Sequence, residues 1–233
     1  MKRYPAGYGA VEPVADYRPW DVDQAFLKVY AAIKEHSKID IYRCYALWRY
    51  AEQTAKLPGD LLEVGVWRGG SAALLTAALR HFGIRGKTVY LADTFRGVVK
   101  AGPRDDYYKG GEHADTSEET VHRLFRSLSL TGYEVLTGVF PEESAASVPS
   151  DTRFCLCHVD VDVYQSARDV QQWVWPRLPP GGLIVYDDYG FYGCEGVTAL
   201  GNEEFRRTDR MVTHNLNGQC VAVKIAGDGS GAA

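Results

Sequence analysis

Short apolar runs alternate with longer amphipathic segments along most of the chain. The apolar runs have the length and continuous hydrophobicity of strands that a parallel sheet buries on both faces. Five of them are predicted to be strands: 60–66, 87–93, 133–137, 153–160 and 182–187. Segments with helical spacing separate or follow these strands: 71–82, 117–130, 167–177 and 195–207. Repeated strand–helix units of this kind predict an α/β fold with a mostly parallel sheet.

The two ends of the chain extend this pattern in different ways. Two further strands are predicted at 210–215 and 219–225, joined by a turn that contains Asn217-Gly218, a strong hairpin signal. This C-terminal antiparallel hairpin would complete a Rossmann-like, seven-stranded sheet with helices on both faces. Segment 21–55 has helical spacing and many aromatic residues, which are expected to pack in a core or an interface.

The same pattern predicts the domain organisation. Residues 1–56 are expected to form an N-terminal helical extension, and residues 57–226 one α/β domain. Residues 227–233 are rich in Gly, Ser and Ala and are predicted to be a flexible tail. Segment 95–116 carries many glycines and charges, as expected for a long loop with a binding role.

Composition excludes several classes of protein. The chain is 45% hydrophobic and 24% charged, as is usual for globular proteins, and its net charge is −4. Without clustered Lys and Arg, a nucleic-acid partner is not expected. No apolar run has the length that a membrane span requires, so no membrane partner is expected. For the same reason, and because the N-terminal stretch has no apolar core of signal-peptide type, a cytoplasmic location is expected. The five cysteines lack metal-site spacing and are predicted to be reduced thiols, as is usual in the cytosol.

A glycine turn follows the first predicted strand. Gly65 and Gly69 allow a ligand to approach the backbone, and Ser71 can cap the next helix. The spacing differs from the G-x-G-x-x-G dinucleotide fingerprint. Glu63, which would repel a pyrophosphate, suits the cationic donor S-adenosylmethionine, and Asp93 at the next strand end can accept both hydroxyls of a ribose. The alternative is a tight turn that binds no ligand.

Four aspartates follow two strands that are predicted to end at the same edge of the sheet. Asp160 and Asp162 follow the fourth strand, and Asp187 and Asp188 follow the fifth. Like charges at this distance repel unless a cation neutralises them, and oxygen ligands favour Mg²⁺, Mn²⁺ or Ca²⁺. The alternative, that some of these residues cap helices, applies best to Asp162.

The two patterns together suit one reaction, the transfer of a methyl group from S-adenosylmethionine to a hydroxyl. A sugar or phenol hydroxyl needs activation, which a divalent cation and a carboxylate base can supply. The sequence therefore predicts Asp160, Asp187 and Asp188 as metal ligands and Asp162 as the general base. Arg68 could reach the methionine carboxylate of the donor, or could be solvated.

The chain also resembles a known family, the TylF/MycF or macrocin-type O-methyltransferases. The resemblance rests on 62–71 (LEVGVWRGGS), 93–97 (DTFRG), 138–140 (GVF), 160–166 (DVDVYQS), and 180–182 (PGG) with 187–189 (DDY). It implies a class I methyltransferase fold, dependence on S-adenosylmethionine and Mg²⁺, and a deoxysugar hydroxyl of a natural product as acceptor. It further implies the metal and base assignments above, and adds Thr94, Phe95 and Gly138 to the donor site.

Members of the family commonly form dimers and close a lid over the substrate. The resemblance therefore implies a homodimer or higher homo-oligomer, a small-molecule glycoside as partner, and lids at 20–50 and 95–116. Three alternatives stay open: a catechol or other phenol as acceptor, a nicotinamide-dependent oxidoreductase, and a module that binds S-adenosylmethionine without catalysis.

Overall fold

A computed structural model describes residues 4–12 and 14–225 of the chain. Seven strands form one sheet in the order β3-β2-β1-β4-β5-β7-β6. Strands β1 to β5 are parallel, and β7 is antiparallel to both β5 and β6. The strands are β1 Asp60–Val64, β2 Val89–Asp93, β3 Tyr133–Thr137, β4 Phe154–Val159, β5 Leu183–Tyr186, β6 Arg210–His214 and β7 Cys220–Lys224.

Six α-helices of the described part of the chain accompany the sheet. They are α1 Gln24–Ile33, α2 Ile41–Thr54, α3 Gly70–His81, α4 Glu118–Ser127, α5 Tyr164–Val174 and α6 Glu195–Glu204. Short 3-10 helices occupy Pro19–Asp21, Lys34–His36, Ala145–Ser147 and Trp175–Arg177. Asp40 caps α2 by accepting hydrogen bonds from the backbone N–H groups of Tyr42 and Arg43, and Ser117 caps α4 in the same way.

The predicted α/β fold is confirmed, including the mostly parallel seven-stranded sheet and the antiparallel hairpin at its end. Every predicted strand is present, with ends shifted by one or two residues. Segment 21–55 forms two helices, since the chain leaves the helical conformation at residues 37–40 between α1 and α2. Segment 95–116 contains no helix or strand, as predicted for a long loop.

Two hydrophobic cores cover the sheet. One contains apolar residues of α1, α2 and α3, among them the fully buried Phe26, Leu47 and Trp48. The other lies under α5 and α6, and includes Tyr164 and Leu200. The N-terminal extension is thus built into a core of the α/β unit, and this packing holds the start of α2 close to the sheet edge.

The predicted tail 227–233 lies outside the described residues, as does residue 226 at the end of the predicted domain. None of the helices within the described ranges combines the length and the apolar character that crossing a lipid bilayer requires. All five cysteines are free and buried.

Candidate active site

A cavity of about 250 Å³ lies at the carboxyl ends of the parallel strands. Eight of the residues predicted to form the site line it: Gly65, Ser71, Asp93, Thr94, Gly138, Asp160, Asp162 and Asp188. Residues 36–39 and Arg43 contribute from the N-terminal extension, and Val98, Tyr108 and His113 from the long loop. The cavity lies at the strand ends where open α/β sheets bind ligands.

Close backbone contacts explain two glycines at this edge. At Gly65, a Cβ atom would lie 1.7 Å from the carbonyl oxygen of Asp160, and the φ angle is +91°. At Gly70, a Cβ atom would lie 2.5 Å from the carbonyl oxygen of His36. Side chains are therefore excluded where β1 meets the end of β4 and where α3 meets the N-terminal extension.

Asp93 lies at the end of β2 and lines the cavity. Its Oδ2 accepts a hydrogen bond from the backbone N–H of Trp67 at 2.7 Å, and its Oδ1 accepts one from that of Phe95 at 2.7 Å. Burial raises the pKa of Asp93, and these backbone hydrogen bonds oppose the rise. Within the cavity, this carboxylate can face a hydroxyl of a ligand.

Several predicted donor residues do not line the cavity. Arg68 donates to the carboxylate of Asp115 at 2.6 Å and lies over the ring of Trp67, so it is held away from the site. Gly69 is the N-cap residue of α3 with φ +88° and shapes the turn. Phe95 packs against the hydrophobic core on the α1–α3 face. Their direct contacts with a donor stay predictions.

Glu63 is fully buried behind the cavity. It pairs in register with His158 of the neighbouring β4, and the Oε1–Nδ1 distance is 2.9 Å. Burial would lower the pKa of His158, but Asp187 and Glu63 raise it well above its usual range. Glu63 is therefore the charge partner of a buried imidazolium, and its position does not support the predicted contact with the donor.

Four aspartates meet at the ends of β4 and β5, as the sequence predicted. Ligand atoms of His158, Asp160 and Asp187 lie within 4.8 Å of one another, and the same limit holds for Asp162, Asp188 and Cys194. Burial and Asp187 raise the pKa of Asp160 to about 8. Burial and Asp160 raise the pKa of Asp188 well above its usual range. Burial and mutual repulsion therefore make it costly for all four carboxyl groups to be ionised together.

Arg43 of α2 reaches this cluster from the N-terminal extension. Its Nη1 donates to Asp187 Oδ2 at 2.5 Å and lies 3.4 Å from Asp188 Oδ1. Its Nε donates to Asp40 Oδ2 at 2.8 Å, while Gln219 Nε2 donates to Asp187 Oδ1 at 2.9 Å. Burial alone would raise the pKa of Asp187, but His158 and Arg43 together lower it. Asp187 is thus the ionised anchor of the cluster.

Asp162 and Asp188 share an uncommon backbone conformation, with φ angles of +64° and +63°. Left-handed backbone at a non-glycine residue is frequent at functional sites. Burial raises the pKa of Asp162, and the phenol of Tyr108 and the charge of His113 lower it. Burial and the neighbouring Asp188 raise the pKa of the Cys194 thiol, which favours a neutral thiol over a metal-binding thiolate.

The cluster fits a divalent cation. Asp160, Asp187 and Asp188 supply hard oxygen donors, and Cys194 is neutral, which favours Mg²⁺ over zinc. Burial first, and the neighbouring carboxylates second, raise the pKa values of Asp160 and Asp188, and the positive charges of Arg43 and His158 do not cancel this rise. Asp187 already accepts from Arg43 and Gln219, but a carboxylate has about four acceptor positions.

Binding of Mg²⁺ is expected to release protons and to tighten as pH rises. Below its raised pKa of about 8, Asp160 is mostly protonated in the metal-free protein and must lose its proton to become a ligand. Affinity should therefore fall as pH drops from 8 to 6. Calorimetry in buffers of different ionisation enthalpy measures the released protons. Asp160→Asn should reduce this release, and an unchanged proton count would contradict the assignment of Asp160 as a ligand.

Arg43, Tyr108, His113 and His158 belong to this site, and the sequence did not predict that they take part in it. Arg43 carried no signal, because it lies in a helix more than a hundred positions before the aspartates it contacts. Tyr108 lay in the loop predicted to bind, but the sequence did not single it out. His158 is completely buried, and its pairing with Glu63 depends on strand register.

Comparison with known proteins gives consistent results. The macrocin-O-methyltransferase (TylF) family matches residues 43–222. A demethyldecarbamoylnovobiocin O-methyltransferase of Streptomyces niveus is 31% identical over 197 residues, and the match covers 78% of this chain and 74% of that protein. A mycinamicin III 3''-O-methyltransferase of Micromonospora griseorubida is 33% identical over 196 residues, covering 78% and 76%.

Solved structures give the same result. The structure of the O-methyltransferase NovP superimposes with a TM-score of 0.69 at 28% identity, covering 82% of this chain and 83% of that one. The calicheamicin methyltransferase CalS11 superimposes with a TM-score of 0.68 at 14% identity, covering 92% and 98%, and supports the fold alone.

Proposed function

Because the chain belongs to the macrocin-O-methyltransferase (TylF) family, we propose that it methylates a sugar hydroxyl of a glycosylated natural product. It is an S-adenosylmethionine-dependent O-methyltransferase, as its relatives are. One observation carries the assignment of the site: a single cavity is lined both by Asp93 and by residues of the aspartate cluster. Asp93 suits the donor, and the cluster suits a hydroxyl acceptor. A nicotinamide-dependent oxidoreductase has no support from these comparisons.

The donor lies between the first two strand ends and the start of α3. Asp93 accepts the ribose hydroxyls, while the backbone around Gly65 and Gly138 allows close approach, and Ser71 and Thr94 complete the wall. The nearby carboxylates give this cavity a negative potential, which suits the positive charge of the sulfonium donor.

The acceptor hydroxyl enters on the opposite side, where Asp162 takes its proton. A buried carboxylate is a stronger base than a solvated one, since burial raises the pKa of Asp162. The phenol of Tyr108 donates a hydrogen bond to this carboxylate, and His113 lies 3.5 Å from the phenol oxygen. Once the hydroxyl is deprotonated beside the donor, methyl transfer depends mainly on alignment of the two reactants.

We also propose that Asp160, Asp187 and Asp188 hold Mg²⁺. When bound there, a divalent cation supplies a positive charge that lowers the pKa of a hydroxyl placed beside it. Arg43 and His158 keep Asp187 ionised and in place. Four predicted donor residues lie around the cavity without lining it, and we propose that they help to hold its shape: Glu63, Arg68, Gly69 and Phe95.

An assay of methyl transfer tests the function directly. We expect incubation with S-adenosylmethionine and a panel of glycosides, including mycinamicin III and demethyldecarbamoylnovobiocin, to give a product with one additional methyl group in mass spectrometry. Treatment with EDTA should stop turnover, and Mg²⁺ should restore it. Full activity after chelation would contradict the metal assignment, and transfer only to catechols would contradict the sugar acceptor.

Two further predictions concern the protein in the cell. A cytoplasmic location is consistent with five free thiols. A homodimer or higher homo-oligomer is proposed from the family resemblance, and light scattering coupled to size-exclusion chromatography tests it. The lid function of segments 20–50 and 95–116 is proposed because both contribute residues to the cavity wall.

A further inference from the structure

A second cleft, of about 470 Å³, lies on the other side of Tyr108 from the donor cavity. The long loop and the start of α6 form its walls. The lining residues are Asp106, Tyr107, Tyr108, Tyr192, Gly193, Cys194 and Glu195. Tyr108 lines both spaces, so the cleft and the cavity adjoin at this residue.

Two exposed aromatic rings flank the cleft. Tyr107 is 69% exposed and Tyr192 is 59% exposed. Tyr107 is held by edge-to-face contact with Tyr108 at 5.2 Å, and Tyr192 by such contacts with Tyr4 at 6.0 Å and Tyr8 at 5.8 Å. The rings are therefore supported by neighbours while much of their surface stays open to a ring of a ligand.

Glu195 adds a polar group that lacks a partner. Its Oε1 accepts a hydrogen bond from the backbone N–H of Gly193 at 2.9 Å. Its Oε2 is buried and has no hydrogen-bond partner among the described residues. A buried acceptor without a donor is costly, so this oxygen is suited to a hydroxyl of a ligand.

The charge of the cleft narrows the choice of ligand. Asp106 and Glu195 are acidic, and no basic side chain is found among the described residues that line the cleft. An anionic group is therefore disfavoured, and a ring that carries a hydroxyl is favoured.

We propose that this cleft binds the part of the glycoside acceptor that is not methylated: a ring stacks on Tyr107 and Tyr192, and a hydroxyl on it donates to Glu195 Oε2. The proposal rests on the proposed function, because the reacting sugar must lie beside Asp162 while its substituent passes Tyr108. Contacts of this kind are equal in the ground state and the transition state, so they lower KM and leave kcat unchanged.

Three synthetic 6-deoxyhexosides separate the two contacts: methyl, phenyl and 4-hydroxyphenyl α-L-rhamnoside. Calorimetry in the presence of S-adenosylhomocysteine and Mg²⁺ measures their affinities. For the wild-type protein we expect affinity to rise in that order, with each step about 3- to 10-fold. The phenyl ring reports the stacking contact, and the phenolic hydroxyl reports the contact with Glu195.

Two variants then assign each step to a residue. Tyr192→Ala should remove most of the difference between the methyl and phenyl glycosides, and Glu195→Gln most of that between the phenyl and 4-hydroxyphenyl glycosides. Tyr17→Ala is the matched control, since Tyr17 is 79% exposed and does not line the cleft. All three variants should bind S-adenosylhomocysteine with wild-type affinity.

Equal binding of the three glycosides, or no binding of any, would overturn the proposal, as would differences that persist in both variants. These outcomes can be told apart from a failure of the proposed function. If the proposed function fails, no glycoside gains a methyl group in mass spectrometry. The order of the three affinities, and its loss in the variants, can be measured by calorimetry in either case.

Discussion

The substitution Asp162→Asn is expected to lower kcat by about 10²- to 10⁴-fold, the usual contribution of a positioned general base. The affinity for S-adenosylhomocysteine should stay the same, because Asp162 faces the acceptor side of the cavity. Asparagine has the same shape but cannot take a proton from the acceptor hydroxyl. Steady-state kinetics with the best glycoside of the panel, together with calorimetry, measures both quantities.

Asparagine is the appropriate replacement for a structural reason as well. Asp162 has a φ angle of +64°, and Asn tolerates this left-handed conformation better than Ala does. The variant therefore separates loss of the base from backbone strain. A residual activity near that of the wild type would contradict the role of Asp162 as the base.

A control and a second measurement complete this test. Asp151→Asn removes an exposed carboxylate outside the cavity and should leave kcat unchanged. Mg²⁺ affinity should fall far less in Asp162→Asn than in Asp160→Asn or Asp188→Asn. If Asp162→Asn abolishes Mg²⁺ binding instead, Asp162 is a metal ligand, and Asp160 becomes the candidate base.

Replacement of Arg43 by methionine should lower the free energy of unfolding of the metal-free protein by about 3 to 5 kcal/mol, as is typical when one partner of a buried ion pair is removed. The side chain of Arg43 is 7% exposed and that of Asp187 is 0% exposed. Methionine fills part of the same volume but removes the guanidinium from Asp187, which keeps only the more distant His158 as a cationic neighbour. Urea denaturation in the presence of EDTA measures the loss.

Addition of Mg²⁺ should restore part of this stability, because a divalent cation also neutralises Asp187 and Asp188. Arg49→Met is the matched control on the same helix: Arg49 is 46% exposed and pairs with Glu52. Its effect should stay within about 0.5 kcal/mol, as for exposed ion pairs. Equal losses in the two variants would show that the contact between Arg43 and the aspartates is not the cause.

The fold could be predicted well because its signals are local. The apolar run of β4 and the Asn217-Gly218 turn each specify one element from a few consecutive residues. The observed strand ends differ from the predicted ones by up to two residues, because hydrogen bonding, and not hydropathy, defines where a strand ends. The break between α1 and α2 was not predicted, since both helices continue the same apolar spacing.

The site was predicted in part. Asp160, Asp162, Asp187 and Asp188 could be placed together, because the carboxyl ends of neighbouring parallel strands must meet at one edge. Whether Glu63 and Arg68 contact the donor could not be predicted from the position of the strand ends. Their side chains have partners, His158 and Asp115, that only register and loop conformation bring near.

By itself, the sequence determined the alternation of strands and helices, the edge at which the ligands bind, and the carboxylates found there. These properties follow from hydrophobic period and chain topology, which act over short stretches. The tertiary structure alone decided which charges are paired: Arg43 reaches Asp187, and Glu63 faces His158. Such pairs join residues that are far apart in the chain, and packing of the N-terminal helices and strand register bring them within a few ångströms.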